Sequence, residues 1–162
     1  MADEVAEALR GRVDPDGLVR AVDLTSGATL PTVSAGSALA LLAPGLPAQA
    51  VSAAKELVTD GALASEVGVR SLDRAHPELR PRNYWRGPVW ANVTWLSARG
   101  LALHGEREAA GLLRERMLRG VAAGGMREYF TPDTGAGLGA RDFAWTAALT
   151  LRELRVESRH AG

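Results

Sequence analysis

The chain has 162 residues, 46% of them apolar, and its 19 lysines and arginines balance 19 aspartates and glutamates. This composition is typical of one compact globular domain, and the zero net charge argues against nucleic acid or an anionic membrane as a partner. The absence of cysteine excludes disulfides, thiolate zinc sites and cysteine nucleophiles. An acidic start, and no apolar run near the roughly 20 residues of a membrane span, predict a soluble cytoplasmic protein without a signal peptide.

The first part of the chain predicts three helices separated by turns. Apolar residues recur at helical spacing in each helix, and glycine or proline stands just beyond each end. Between the first two helices, two turn sequences leave room for a short extended piece over 18–23. The predicted helices are 2–10, a segment capped by Ser34 or Ser37 that runs to Leu42, and 47–60.

Residues 64–82 have no persistent period, and Pro77 and Pro81 forbid a regular helix there. Irregular segments longer than about 12 to 15 residues in a compact domain are usually functional or disordered. This segment runs directly into Asn83–Trp90, which is rich in aromatic residues, so a functional role is favoured.

The second part of the chain predicts a helical hairpin. Pro88 begins a helix that ends near residues 104–105, and a second helix over 106–119 is ended by Gly120 and then by Gly124 and Gly125. Because the hairpin goes out and returns, the loops before and after it, 70–87 and 124–142, should lie at the same end. The two loops can therefore share a site.

The end of the chain predicts one more helix. Residues 126–130 are briefly extended, and a turn follows at 131–135. Asp142 is a natural N-cap for a helix over 143–155, whose alanines and leucines form a packing face. The sequence thus predicts an all-α chain of about six helices with little strand.

Four side chains near the start of the hairpin could bind a sugar. Tyr84, Trp85, Arg86 and Trp90 lie within seven residues. Aromatic faces stack on the C–H surfaces of sugars, and a guanidinium can bond hydroxyl or carboxylate groups. The alternative is that the tryptophans anchor the core and the arginine is a solvated charge.

Glu128, in the second loop, is a carboxylate that could act in catalysis, although an isolated loop glutamate is usually only solvated. Asp133 has the context of a turn residue. The three histidines are scattered, so no metal site is expected, and the alternating glycines after residue 134 do not match a dinucleotide phosphate loop. No cofactor is expected.

Three ordered motifs resemble one enzyme family. NYWRGPVWANVTW (83–95), REYFTPDTG (127–135) and GLGARDFAWTAAL (137–149) are similar to the C-terminal part of glycoside hydrolase family 63 enzymes, above all the bacterial mannosylglycerate and glucosylglycerate hydrolases. Trehalases share the YWRGP element. The stretch 14–36 also resembles the preceding part of that family, so the resemblance covers most of the chain.

The resemblance implies an (α/α)6 barrel that hydrolyses an α-glycosidic bond with inversion, using an acid and a base roughly 6.5–9.5 Å apart. By position, Glu128 would be the general base. Tyr84, Trp85 and Trp90 would line the sugar and aglycone pocket, and Arg86 would contact substrate or brace the loop.

The family's general acid is an aspartate in the earlier half of the barrel, and no aspartate within residues 1–82 stands in a matching context. The resemblance therefore implies that residues 1–162 are a single partial catalytic domain, the C-terminal half of an incomplete barrel. Without the acid, the rate would fall by about 10² to 10⁴ from that loss alone.

The leading hypothesis is thus an α-glycosidase fragment, weakly active or inactive alone, that carries the base and part of the sugar pocket. One alternative is a non-catalytic helical module that binds carbohydrate or a protein, and another is a fragment of a trehalase-like enzyme or of an oligosaccharide α-glucosidase. The expected ligand is a small carbohydrate or glycoside. A separate N-terminal half, or self-association through exposed helix faces, would complete the assembly.

Overall fold

The computed structural model describes residues 2–160, with side chains described for residues 3–155. Within that range the chain is mainly helical, as predicted, with six α-helices and two hairpins of very short strands. A 3-10 turn, Ala40–Leu42, prolongs the second helix. The helices are α1 (Ala2–Arg10), α2 (Ala35–Leu39), α3 (Ala48–Thr59), α4 (Ala91–Leu103), α5 (Arg107–Gly124) and α6 (Ala144–His160).

The strands form two antiparallel pairs. Strand β1 (Ala64–Ser65) pairs with β2 (Gly68–Val69), and β3 (Tyr129–Phe130) pairs with β4 (Gly137–Leu138). The extended piece predicted before the 131–135 turn is confirmed by β3. The first pair lies in the segment predicted to be irregular, because two-residue strands are too short to produce a periodic pattern. None of the helices in residues 2–160 has the length and apolar character of a membrane span.

Val89 joins the two loops at the end of the α4–α5 hairpin. Its N–H donates to the carbonyl oxygen of Phe130 at 2.9 Å, and the N–H of Phe130 donates back to Val89 at 2.9 Å. On its other side Val89 forms a bridge with Arg70. This pairing confirms that the two loops lie at the same end of the hairpin.

The same pairing corrects the predicted start of α4. Pro88 does not begin the helix, because residues 88–90 are extended and α4 starts at Ala91. Trp90 takes the N-cap position with φ −114° and ψ 129°. Cross-strand bonding of Val89 therefore outweighs the preference of proline for a first helical turn.

Two other helix ends also differ from the prediction. Gly120 does not end α5, which continues to Gly124 before Gly125 takes φ 79°. Gly120 instead allows close packing on Val67, whose Cβ would lie 3.1 Å from an added Cβ. Asp142 is not the N-cap of the last helix, because it has φ 51° and α6 begins two residues later.

Helix α4 lies at the centre of the core and packs against α2 and its 3-10 turn, α3, α5 and α6. At Gly100 it lies against the 3-10 turn, where an added Cβ would be 2.6 Å from the Cβ of Leu41. Trp90, just before α4, is part of the main core cluster.

Candidate active site

Four aromatic rings gather where the two loops meet. The indole of Trp85 lies parallel to that of Trp90, with 4.2 Å between ring centroids and 4° between planes. Tyr129 covers the other face of Trp90 at 5.0 Å and 25°. Trp85, Trp90 and Tyr129 therefore form an aromatic stack, and the ring of Tyr84 stands edge-on to all three.

The stack has one buried member and an exposed outer surface. Trp90 is only 2% exposed, and its Nε1–H donates to the carbonyl oxygen of Tyr84 at 3.2 Å. Trp85 and Tyr84 are 44% and 49% exposed. Trp90 thus fits the core-anchor alternative, since both of its faces are covered. Trp85 and Tyr84 present large aromatic surfaces to solvent, as a platform for a sugar requires.

The turn that carries Tyr84 is held by its own backbone. The N–H of Arg80 donates to the carbonyl oxygen of Arg86 at 2.6 Å, and the N–H of Arg86 donates to Asn83 at 2.8 Å. Tyr84 has φ 42°, an uncommon conformation for a bulky residue. Such strained residues cluster at functional sites.

The Arg86 side chain is exposed and forms an ion pair. Its Nη1 lies 3.0 Å from Oε2 of Glu78, and both side chains are more than half exposed. An exposed pair of this kind contributes about 0–1 kcal/mol to stability. Arg86 thus links two parts of the same loop through a weak surface ion pair.

Glu128 lies immediately before β3, next to the Tyr129 end of the stack. Its Oε2 accepts a hydrogen bond from the N–H of Ala140 at 3.0 Å, and its own N–H donates to the carbonyl oxygen of Ala140 at 3.1 Å. No residue among those described donates a hydrogen bond to Oε1 of Glu128. The side chain is half-buried, so one carboxylate oxygen is fixed and the other can meet water.

The Tyr129 ring and the Glu128 carboxylate meet at Gly139. An added Cβ on Gly139 would lie 2.5 Å from Oε2 of Glu128 and 2.6 Å from Cε1 of Tyr129. The structure therefore brings Glu128 to the edge of the aromatic stack. The sequence reasoning missed Tyr129, although its place beside Glu128 in the second motif was a usable signal. The backbone contact with Ala140 has no signal in the sequence.

Asp133, in the second loop, and Thr146, just beyond it, have structural partners. Asp133 pairs with Arg70 at 3.1 Å and is exposed, in agreement with its assignment to a turn. Thr146, in the first turn of α6, donates to the carbonyl oxygen of Arg127 at 2.7 Å. Through residue 155, no three histidine, aspartate or glutamate side chains are grouped as a metal site would require.

Comparison with known proteins identifies relatives of this chain. Residues 1–146 match the family described as the mannosylglycerate hydrolase MGH1-like glycoside hydrolase domain. The mannosylglycerate hydrolase of Rubrobacter radiotolerans is 36% identical over 160 residues, which cover 93% of this chain and 35% of that protein. The glucosylglycerate hydrolase of Mycolicibacterium hassiacum is 35% identical over 140 residues, or 83% of this chain and 31% of that protein.

A solved enzyme structure has a fold similar to that of this chain. The family 63 mannosylglycerate hydrolase of Thermus thermophilus, in complex with glucose, matches with a TM-score of 0.83 and 31% identity. The match covers 90% of this chain and 37% of that enzyme. The chain spans about a third of the length of these relatives.

Proposed function

Because the chain belongs to the mannosylglycerate hydrolase MGH1-like family of glycoside hydrolases, we propose that it forms part of an inverting α-glycosidase. The proposed substrates are mannosylglycerate or glucosylglycerate, after the relatives that carry those names. One observation carries the proposal: a half-buried carboxylate, that of Glu128, is held by a backbone amide at the edge of a solvent-facing aromatic stack.

In this mechanism the sugar lies along the exposed edge of the stack, beside Tyr84, whose ring is close to both Trp85 and Tyr129. Its anomeric carbon then lies at the Tyr129 end of the stack, where Glu128 is placed. Glu128 then acts as the general base. Oε2 stays bonded to the Ala140 amide, while Oε1 accepts a proton from a water that attacks the anomeric carbon. Proton transfer and attack on the face opposite the leaving group give the inverted product.

The leaving oxygen needs a general acid, and no aspartate in residues 1–82 has the sequence context of that acid. We assign the acid to polypeptide outside these 162 residues, which would also complete an (α/α)6 barrel. In that arrangement the acid stands about 6.5–9.5 Å from Glu128, which leaves room for the attacking water.

A chimera tests this proposal. Residues 1–162 replace the matching C-terminal segment of the R. radiotolerans mannosylglycerate hydrolase, and hydrolysis is followed with the anomer of the released sugar. We expect turnover with inversion in the chimera, and a kcat lower by about 10² to 10⁴ in the Glu128→Gln chimera. Glu66 is an exposed carboxylate paired with Arg119, so Glu66→Gln is the control and should leave kcat unchanged.

The proposal fails if the Glu128→Gln chimera turns over like its parent. The same set of variants decides the non-catalytic alternative. A carbohydrate-binding module would bind sugar with equal affinity before and after Glu128→Gln, and the chimera would hydrolyse nothing.

A further inference from the structure

The ribbon formed by β3 and β4 continues past both strands and reaches Glu128. Tyr129 is opposite Leu138 in that ribbon, and Phe130 is opposite Gly137. The same register places Gly139 opposite Glu128. Because Glu128 forms both of its hydrogen bonds with Ala140, Gly139 and Ala140 together face one residue. This is the arrangement of a β-bulge whose first residue is a glycine in the left-handed region.

Gly139 meets two separate demands at this bulge. Its φ is 68°, where glycine carries no steric penalty and L side chains are strained. Its missing side chain also leaves the space that Glu128 and Tyr129 occupy. A Cβ at this position would lie 2.5 Å from Oε2 and 2.8 Å from Cβ of Glu128. Real Cβ atoms essentially never approach other atoms so closely.

Arg127 also holds the bulge in place. Nη2 of Arg127 donates to the carbonyl oxygen of Gly139 at 2.9 Å. Gly137 lies against the same arginine, because a Cβ there would be 2.3 Å from Cγ of Arg127. The backbone of Gly139 therefore cannot retreat from Glu128 without giving up the bond to Arg127. An added methyl group would instead displace the flexible end of Glu128, and it would also press on the ring of Tyr129.

We propose that Gly139 is a positioning residue for Glu128. Its empty side-chain position lets Oε2 reach the Ala140 amide and sets the carboxylate at one point beside the aromatic stack. The catalytic meaning of this inference rests on the proposed role of Glu128 as base. Displacement of a reacting group by about 1 Å can lower a rate about 10²-fold, so the space at Gly139 would matter for kcat.

The chain offers a matched control for the substitution Gly139→Ala. Gly27 has φ 73°, and nothing lies within 4 Å of an added Cβ. Gly27→Ala therefore introduces the same backbone strain without the contact. A difference between the two variants reports the effect of space alone.

The first measurement uses the 162-residue chain and needs no turnover. The ¹H–¹⁵N signal of Ala140 is recorded at one pH with and without Glu128→Gln. In the wild type and in Gly27→Ala, adding Glu128→Gln should move the signal, because it replaces the carboxylate that accepts a hydrogen bond from this amide. In Gly139→Ala, adding Glu128→Gln should leave the signal in place, because the carboxylate no longer reaches the amide.

The second measurement separates the contact with Glu128 from a general loss of stability in Gly139→Ala. Melting temperatures are compared for Gly139→Ala in the wild-type and in the Glu128→Ala background. Because Glu128→Ala removes Oε2, the loss of Tm caused by Gly139→Ala should be clearly smaller in that background. Gly27→Ala should cost the same in both.

The outcomes are separable from those of the proposed function. The inference is overturned if Glu128→Gln leaves the Ala140 signal in place in the wild type, if it still moves that signal in Gly139→Ala, or if the Tm losses do not couple. In the chimera, Gly139→Ala should lower kcat by about 10² with KM nearly unchanged, and an unchanged kcat would also contradict it. A Glu128→Gln chimera with full activity would remove the catalytic role while leaving the two physical measurements valid.

Discussion

Trp85 lies flat on Trp90, with 4.2 Å between the ring centroids and 4° between the ring planes. Since Tyr129 covers the opposite face of Trp90, the buried indole supports the stack and Trp85 forms its outer surface. Trp85 and Tyr84 therefore supply the exposed ring surface of the stack. The affinity for sugar should accordingly depend on the Trp85 ring.

Trp85→Ala should lower sugar affinity. Removal of the exposed ring takes away apolar surface that the sugar would cover, so we expect an affinity about tenfold lower. Calorimetric titration with mannosylglycerate measures it in the Glu128→Gln chimera, which does not consume the ligand. Trp145→Ala is the control, since Trp145 is similarly exposed, at 55%, but lies on α6 outside the stack. Equal losses in both variants would show that Trp85 has no special part in binding.

Two helical glycines should respond in opposite ways to alanine. Gly100 in α4 faces Leu41, and a Cβ there would lie 2.6 Å from Cβ and 2.9 Å from the carbonyl carbon of that residue. Gly100→Ala should therefore lower the free energy of unfolding by about 1–3 kcal/mol. Gly111 in α5 has open space at its Cβ position, so Gly111→Ala should stabilise by about 0.5–1 kcal/mol. Urea denaturation measures both, and a stable Gly100→Ala variant would contradict the packing of α4 on the 3-10 turn.

The buried carboxylate of Glu153 should stabilise the contact between α6 and the α4–α5 hairpin. Its Oε1 accepts the Nε1–H of Trp95 at 2.7 Å, and its Oε2 lies 3.4 Å from Nε of Arg114. Glu153→Ala leaves the indole donor without an acceptor and should cost about 1–3 kcal/mol. Glu153→Gln keeps a carbonyl oxygen for Trp95 and should cost less. Equal losses in thermal or urea unfolding would mean that charge, not the hydrogen bond, is what stabilises this contact.

Asp16 should make stability depend on pH. The side-chain hydrogen bonds from Arg20 lower the pKa of Asp16 below its ordinary value. Its contribution is therefore complete above the unfolded pKa of about 3.9 and disappears as pH falls through the lower folded value. Because the side chain is half exposed, the effect is at most about 1 kcal/mol.

Comparison of Asp16→Asn with the wild type tests this sign. The wild type should have the higher Tm at about pH 7, and the difference should shrink below about pH 4, where Asp16 of the unfolded chain begins to take up a proton. A difference that grows as pH falls would contradict the assignment of the pKa shift to Arg20.

The sequence was most informative where side chains repeat or cluster. The helix over 47–60 and the helical hairpin predicted to begin at Pro88 follow from apolar spacing and are confirmed, although α4 begins at Ala91. The two loops were predicted to share one end of the hairpin, and the pairing of Val89 with Phe130 confirms it. The motifs also picked out Tyr84, Trp85 and Glu128, whose substrate and catalytic roles stay predictions.

The errors have a common physical cause. At Pro88, Gly120 and Asp142 the predicted helix end differs from the structure because of contacts distant in sequence or because of the backbone conformation. Val89 pairs with Phe130, so α4 begins after Pro88. Gly120 packs closely on Val67 within α5, and the left-handed backbone of Asp142 does not fit an N-cap. Local propensity cannot report such contacts. For the same reason, nothing in the sequence predicted that the Ala140 amide holds Glu128.

Val89 is paired on both sides, with Arg70 and with Phe130, so it has no free edge. Such a residue opens only when its neighbours separate, and the two motifs of the site must therefore move together. The loop of Trp85 cannot draw away from that of Glu128 without breaking this pairing. Under the proposed function, a sugar would reach the site from the side where Trp85 and Tyr84 face solvent.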